Sequence, residues 1–395
     1  MSDLYLDNIL ATLQWQSHDT QHSDITFINH ANVTDDTLKR STSSILAVLA
    51  AGETWQQNFA PGTMTPAWNA DLVTQLDRWH FKTHPQLASI EPELGRFYPK
   101  KIICQGLEFD SNDLRPCHVI AIDTDSITLD CNHPLAKFAL HLTLEQQDEL
   151  AISKKPKDLV KAIIDTGPGL QARNPDAPVE FFKPEAFCRM DENSDTLFYA
   201  QPRIVSHLDE TARAEIAKLY ARFLKPGMKV LDLMSSWQSH LPDTIADLEV
   251  TGLGMNAEEV EANPQLTDYH IHDLNAESIL PFDQDSFDLV ICTASIEYLT
   301  QPLNIMEEIR RMLRSGQTFV VTFSERWFPP KAINAWSHLH PYEKLHFVAN
   351  LFHQTHGFEQ INTFSLRGLP RPTDDVYSQK LPFSDPVYAV WGQLS

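Results

Sequence analysis

The sequence predicts a two-domain chain of α/β plus α+β class, with a doubly wound parallel sheet towards its C-terminus and an antiparallel half-barrel towards its N-terminus. Three observations carry this. The 395 residues are too many for one ordinary core. Residues 197–395 alternate short apolar runs with helical periods, as parallel strands joined by crossover helices require. Residues 96–146 hold short strand-like runs bounded by turn residues, with two-residue alternation at Phe138, Leu140, Leu142 and Leu144.

Charge and composition exclude several classes. The formal charge is −22, from 53 acidic and 31 basic residues, with no Lys/Arg cluster. Such a field repels nucleic acid and anionic membrane, so neither is expected as a partner. The five cysteines lack CxxC spacing, which fits a reduced, cytoplasmic setting without structural metal. The leading MSDLYLDNILATLQW has no basic n-region or cleavage signature, and no signal peptide is expected. No apolar run approaches the length of a membrane span.

In chain order, residues 1–40 read as a helix over Leu4–Leu13 and a strand over Ile25–Ile28. Ile45–Leu49 suits a short helix stopped at Gly52, and a strand then ends at the Pro61-Gly62 turn. Residues 64–95 are a loop-rich insertion with a helix near Ala70–Trp79. Ile102-Ile103, Val119–Ile122 and Ser126–Asp130 are strand-like, and Cys131–Ala136 makes a tight loop. A mixed-charge helix over Leu144–Ile152 closes the domain of residues 1–150. The run Lys154–Asp158, the Gly167-Pro168-Gly169 turn and Pro175, Pro178 and Pro184 mark a linker and docking segment, 151–196.

Two stretches of this first domain resemble SlyD-type FKBP peptidyl-prolyl isomerases. DTDSITLDCNHPLAKFALHLTLE, with its Asn132-His133-Pro134-Leu135-Ala136 loop between two strands, is similar to the family's closing strands. AAGETWQQNFAPG resembles its strand entering a Pro-rich flap. Lys137 stands where the family has Gly. The resemblance implies an FKBP-like half-barrel and a pocket of Tyr98, Phe97 and His133 with Trp55 and Phe59. Such a pocket desolvates a prolyl bond and lowers its isomerisation barrier. Prolyl-containing polypeptides would then be partners.

The second domain, 197–395, begins with the extended Leu197–Arg203 and a helix capped by Asp209 or Thr211 that runs to about Phe223. The turn Leu224-Lys225-Pro226-Gly227 leads into strand one, Lys229–Leu233, and a helix begins near Trp237. Leu248–Gly252, Tyr269–Leu274, Phe287–Cys292 and Thr318–Phe323 are strands two to five. Glu258-Glu259-Val260 opens one helix, and Leu303, Met306, Ile309 and Leu313 give another its period, ended by Arg314-Ser315-Gly316. Late strands near Ile361–Leu366 and Val387–Trp391 finish the sheet. In such sheets ligands sit beyond the carboxyl ends of the first strands, so Met234, Ser235, Ser236 and Trp237 would face one.

VLDLMSSW-x-SHLP, GMNAEE and F-Y-x-x-P-R, in this order of elements, resemble the Rossmann-like class I S-adenosylmethionine-dependent methyltransferases. That resemblance implies S-adenosyl-L-methionine as cofactor and a small-molecule or polypeptide methyl acceptor. Ser235 and Ser236 take the place of the family's turn glycines, and Asp232 would lie near the cofactor's ammonium group. Gly254-Met255-Asn256 replaces the acid expected after strand two, leaving Asn256 for one ribose bond and Met255 against adenine. Asp273, followed by Leu274, matches the acid that accepts from the adenine amino group, while Thr293 and Ser295 would line the sulfonium end. Methyl transfer needs no obligatory base; Glu297, Tyr298, His338 and His340 are acceptor-side candidates. Three readings stay open: an active methyltransferase fused to an FKBP-like module, a prolyl isomerase or chaperone on a methyltransferase scaffold, and a non-catalytic binding protein.

Overall fold

Residues 5–33, 36–81, 91–103, 113–148, 157–165 and 179–395 are described by the computed structural model, and the chain divides into two units. The first is Met1–Lys183 with Leu339–His346, and the second is Pro184–His338 with Phe347–Ser395.

The first unit is led by a long hairpin of β1 (Tyr5–Ser17) and β2 (Thr20–Asn32). Two further strands, β3 (Trp55–Phe59) and β8 (Leu140–Gln146), extend it in the antiparallel order β2-β1-β8-β3. Leu13, Trp15, Trp55, Leu142 and Leu144 share a core with Ile45 of α2 (Thr42–Ala50) and Ile163 of α3 (Leu159–Ile164). Helix α1 (Asp36–Lys39) precedes α2, and the two-residue β9 (Lys157–Asp158) runs parallel beside β2. Between β3 and β8 the chain builds a second antiparallel sheet of β4 (Val73–Asp77), β5 (Phe97–Pro99), β6 (Pro116–Ile122) and β7 (Ser126–Asp130), ordered β4-β7-β6-β5.

Several expectations change here. Of the helix expected over Leu4–Leu13, the described residues from Tyr5 on are strand: Ile9, Ala11, Leu13 and Trp15 are buried at alternate positions, so period two prevails over spacings that also suit a helix. The helix expected near Ala70–Trp79 is instead β4 between two 3₁₀ turns, its Val73 and Thr74 paired with β7. Leu144–Gln146 continue β8 rather than start a helix, and 149–156 and the Gly167-Pro168-Gly169 turn lie outside the described residues.

The second unit has α4 (Asp195–Phe198), α5 (Glu210–Ala221), β10 (Lys229–Leu233), β11 (Glu249–Gly254), α6 (Ala257–Glu261) and β12 (Asp268–Ile271). There follow β13 (Phe287–Thr293), α7 (Pro302–Met312), β14 (Leu313–Phe323) and α8 (Asn334–His338). Helix α9 (Pro341–Gln354) belongs to this unit from Phe347 on, and β15 (Phe358–Arg367) and β16 (Val387–Leu394) complete it. The strand order is β12-β11-β10-β13-β14-β16-β15, parallel through β14, with β16 antiparallel between β14 and β15. Order therefore reverses between β10 and β13, the point at which such sheets bind ligands. Val230, Leu231, Leu289, Val290 and Ile291 are fully buried, as expected for parallel strands covered on both faces.

Three local readings are corrected. Leu197 and Phe198 belong to α4 rather than to an extended run, and Arg314–Gly316 already belong to β14. No helix follows β10: residues 234–248 are loop and turn. Ser235 and Ser239 turn their hydroxyls back onto Asp232, His240 takes φ +56°, and Pro242 cannot continue a helix.

Helix α5 brings Tyr220 under the sheet's ligand end, and Asp209 fixes its start. Asp209 Oδ1 accepts from the Ala212 N–H at 3.1 Å and the Ser384 hydroxyl at 2.9 Å, while Oδ2 accepts from the Asp385 N–H at 2.6 Å. Arg371 lies 3.4 Å away as its buried cation. Asp209→Ala is therefore expected to lower unfolding free energy by about 2–4 kcal/mol in urea titrations, through loss of a cap and of a buried charge partner. Asp209→Asn should cost less, since it keeps the cap acceptor.

Candidate active site

One cleft opens at the carboxyl ends of β10, β11 and β13. It gathers the ten residues expected around a cofactor: Asp232, Met234, Ser235, Ser236, Met255, Asn256, Asp273, Leu274, Thr293 and Ser295. Tyr298 lines it, but Glu297 does not. His338 is not among its lining residues, and His340 belongs to the first unit.

The turn after β10 keeps a glycine-like backbone without glycine. Met234 has φ +59°, and Ala294, at the matching end of β13, has φ +48°. Left-handed backbone at non-glycine residues costs energy and is retained where surroundings impose it. Here the Ser235 N–H donates to the Leu253 carbonyl at 2.8 Å, which draws the turn over β11. A Cβ on Gly254 would sit 2.4 Å from the Ser235 carbonyl oxygen and 2.7 Å from Val260 Cγ1. Strand two must therefore be glycine at 254.

The acids of the cleft have unequal freedom. Asp232 is only 2% exposed, and its Oδ2 accepts from the Ser235 hydroxyl at 2.6 Å and the Ser239 hydroxyl at 2.7 Å. Burial pushes its carboxyl up to about 6, against the lowering effect of those hydroxyls. Asp232 Oδ2 thus shapes the turn, while Oδ1 has no hydrogen bond among the described residues. Asn256 is likewise committed: Oδ1 caps α6 through the Glu259 N–H, and Nδ2 donates to the Tyr199 carbonyl at 2.9 Å. It is therefore a poor ribose partner. Asp273 Oδ1 accepts from the Asn275 and Ala276 N–H groups at 3.0 and 3.2 Å, while Oδ2 has no hydrogen bond among the described residues.

Sequence reading missed other members. Glu259 takes the Ser236 hydroxyl at 2.6 Å on one oxygen and the Arg203 N–H at 2.7 Å on the other. Asp195 forms the floor with Arg189, Lys331 and Asn275, at 2.8, 3.0 and 2.8 Å. Burial would raise the Asp195 carboxyl, but hydrogen bonds from these three groups hold it below its ordinary range. Tyr199, Tyr298 and Phe328 make an aromatic wall, and the Tyr298 hydroxyl accepts from the Phe328 N–H at 2.8 Å. Burial raises Tyr298 well above an ordinary tyrosine. His207 and His240 also line the cleft; burial lowers both, His240 to about 4, so both are neutral near pH 7. Thr293 is tied to Tyr220 at 2.6 Å, and the Ser295 hydroxyl donates to the Thr293 carbonyl at 2.9 Å. Thr293, Ser295 and Tyr298 are legible in the sequence, and Glu259, His240 and Tyr199 lie within GMNAEE, VLDLMSSW-x-SHLP and F-Y-x-x-P-R without a role being readable there; Asp195, His207 and Phe328 carry no such signal, since tertiary packing brings them to the cleft.

The residues expected to form an isomerase pocket are not brought together. Tyr98 packs with Phe81, Cys117 and Leu129 in the core of the second sheet, and Phe97 stacks on His118. Trp55 and Phe59 are buried in the other core. His133 closes its own loop, Nδ1 accepting from the Leu135 N–H at 3.1 Å and Nε2 lying 3.1 Å from the Ile164 carbonyl. Burial lowers its basicity.

Residues 236–321, from the turn after β10 into β14, match the family model of a methyltransferase domain. Solved structures similar to the chain include the Haloferax volcanii complex of the Trm112 methyltransferase activator with a candidate methyltransferase, at 22% identity and TM-score 0.34, covering 46% of this chain and 90% of that one. A SAM dependent methyltransferase from Aquifex aeolicus is 15% identical with TM-score 0.30, covering 54% of this chain and all of that one. One from Archaeoglobus fulgidus is 12% identical with TM-score 0.33, covering 47% and 93%. No protein of curated function matches the chain.

Asp232 gives the site a pH signature. With a folded value near 6 against an ordinary 3.8, its stabilising contribution is full below about pH 4 and is lost as pH rises through about 6. Urea unfolding of Asp232→Asn and the parent chain across about pH 4 to 7 should show the variant gaining relative stability as pH rises. A difference independent of pH would contradict this assignment.

Proposed function

We propose that the second unit is an S-adenosyl-L-methionine-dependent methyltransferase acting on a small-molecule or polypeptide acceptor. The observation that carries this reading is the half-open Asp273 carboxylate in a cleft that also presents Met255 and Leu274, at the switch point of a doubly wound sheet. An adenosine ligand needs an acceptor for its exocyclic amine and apolar surface against its ring, and this cleft offers both. Asp273 Oδ2 would take the amine, and Met255 and Leu274 would cover the ring. Asn256 is spent on capping α6, so ribose hydroxyls would be left to Glu259, whose oxygens keep lone pairs beyond the Ser236 and Arg203 bonds.

When bound, the cofactor supplies an electrophilic methyl group on sulfur. The chain's part is to hold a nucleophile in line with it and to keep water out, and positioning alone supplies much of such a rate enhancement. Tyr199, Tyr298 and Phe328 form the wall suited to this. Tyr298 stays protonated and acts as a positioner rather than a base. His207, neutral and lining the cleft, can accept a proton from the acceptor. Calorimetric titration with S-adenosylhomocysteine tests the reading: binding is expected, and Asp273→Ala should weaken it by about tenfold to a hundredfold. No heat with the folded chain at millimolar ligand would end it.

A second proposal concerns the first unit, which we infer to be an FKBP-like module. Its support is topological: the Asn132–Ala136 loop re-enters β8 after a sheet inserted between β3 and β8. Because its aromatic side chains occupy separate cores, the full chain is expected to bind unfolded prolyl polypeptides with little catalysis of prolyl isomerisation. A protease-coupled prolyl-peptide assay reads this, and a rate enhancement comparable to an active isomerase would contradict it.

A further inference from the structure

Among the described residues lining the cleft, Arg203 is the only lysine or arginine. Its guanidinium lies over three rings, with its central carbon 4.5 Å from the Phe198 centroid, 5.2 Å from Phe328 and 5.8 Å from Tyr199. Nη2 donates to the Phe198 carbonyl at 3.1 Å, which fixes the plane of the fork. Stacking on rings orients an arginine while leaving its in-plane N–H groups for a ligand.

The acids around it are already engaged. Glu259 meets the Arg203 main chain rather than its side chain, and its other oxygen takes Ser236. Asp195 is neutralised by Arg189 and Lys331. No carboxylate forms an ion pair with the Arg203 guanidinium among the described residues. A stacked, partly buried cation left so in a chain of net charge −22 is a site for an incoming anion. Asp195, Asp232, Glu259 and Asp273 line the same cleft, so a singly charged anion suits it better than a phosphate dianion.

We propose that Arg203 is the carboxylate-binding fork of this cleft, holding the carboxylate of a ligand that lies against the Tyr199–Tyr298–Phe328 wall. This deepens the methyltransferase reading and rests on it for the ligand's identity. The carboxylate belongs either to the amino-acid end of the cofactor or to an acceptor with a planar apolar body.

The test is calorimetry on the full chain and on Arg203→Met, which keeps an apolar stem over the rings, and Arg203→Lys, which keeps charge without the fork. The probes are S-adenosylhomocysteine, its decarboxylated analogue, and 4-hydroxybenzoate beside its methyl ester. Melting temperatures of both variants check that they fold. A loss of about tenfold to a hundredfold for S-adenosylhomocysteine in Arg203→Met, with the decarboxylated analogue unchanged, assigns the fork to the cofactor. The same loss for 4-hydroxybenzoate but not for its ester assigns it to the acceptor. Arg203→Lys should recover only part of either loss. The inference is overturned if no carboxylate probe binds the parent chain, or if every one binds Arg203→Met as it binds the parent. Absence of S-adenosylhomocysteine binding together with an Arg203-dependent 4-hydroxybenzoate site would remove the methyltransferase reading and leave the carboxylate site standing.

Discussion

The Ser235 carbonyl oxygen approaches the Cα of Gly254 so closely that no side chain fits between the strand-one turn and β11. That contact decides the shape of the cleft. In a doubly wound sheet the turn after strand one must come near a ligand, and glycine there usually removes both the Cβ and the penalty for left-handed backbone. This chain puts Met234 in the left-handed region and leaves serines beside it. The cost is offset by the Ser235 N–H to Leu253 bond and by two hydroxyls on Asp232. The requirement for a missing side chain has moved across the sheet, from the turn to strand two.

Other features depend on that exchange. Asp232 becomes a buried anchor for Ser235 and Ser239, and the Asn263 amide donates to the Ser239 hydroxyl and the Ser236 carbonyl, each at 2.9 Å. The loop held in this way has no need of a helix, and none forms. Because Asn256 caps α6 and reaches back to the Tyr199 carbonyl, the segment of α4 and its aromatic residues is drawn over the cleft. The floor is a separate balance of buried charge, Arg189 and Lys331 against Asp195, with the partly exposed Asp191 at its edge on Lys331. Removing one partner from such a cluster leaves a buried charge uncompensated and costs several kcal/mol. It therefore holds the α4 segment in one position.

The strands of the second unit are legible in the sequence because parallel strands are short, apolar and buried on both faces, as at Val230–Leu233 and Leu289–Cys292. The ten residues that meet in the cleft are legible because each strand end fixes where the next loop begins. The use of each side chain is not. Whether Asn256 faces a ribose or a helix end depends on the Tyr199 carbonyl 57 residues away. The role of Asp232 depends on where two serines point, and Arg203, Glu259 and Asp195 meet only through tertiary packing. In the first unit, the apolar spacing of β1 suits a helix and a strand alike, and the long pairing with β2 decides between them. Tyr98 and Trp55 read as one pocket because both are aromatic, yet the inserted sheet has its own core.

The most direct test is a crystal structure of the chain grown with S-adenosylhomocysteine. The adenine should lie against Met255 and Leu274 with its amino group at Asp273 Oδ2, with the Ser235–Gly254 contact unchanged and Asp232 still bonded to its serines. Ligand bound elsewhere, or crystals grown at saturating ligand with the Asp273 side of the cleft empty, would contradict it.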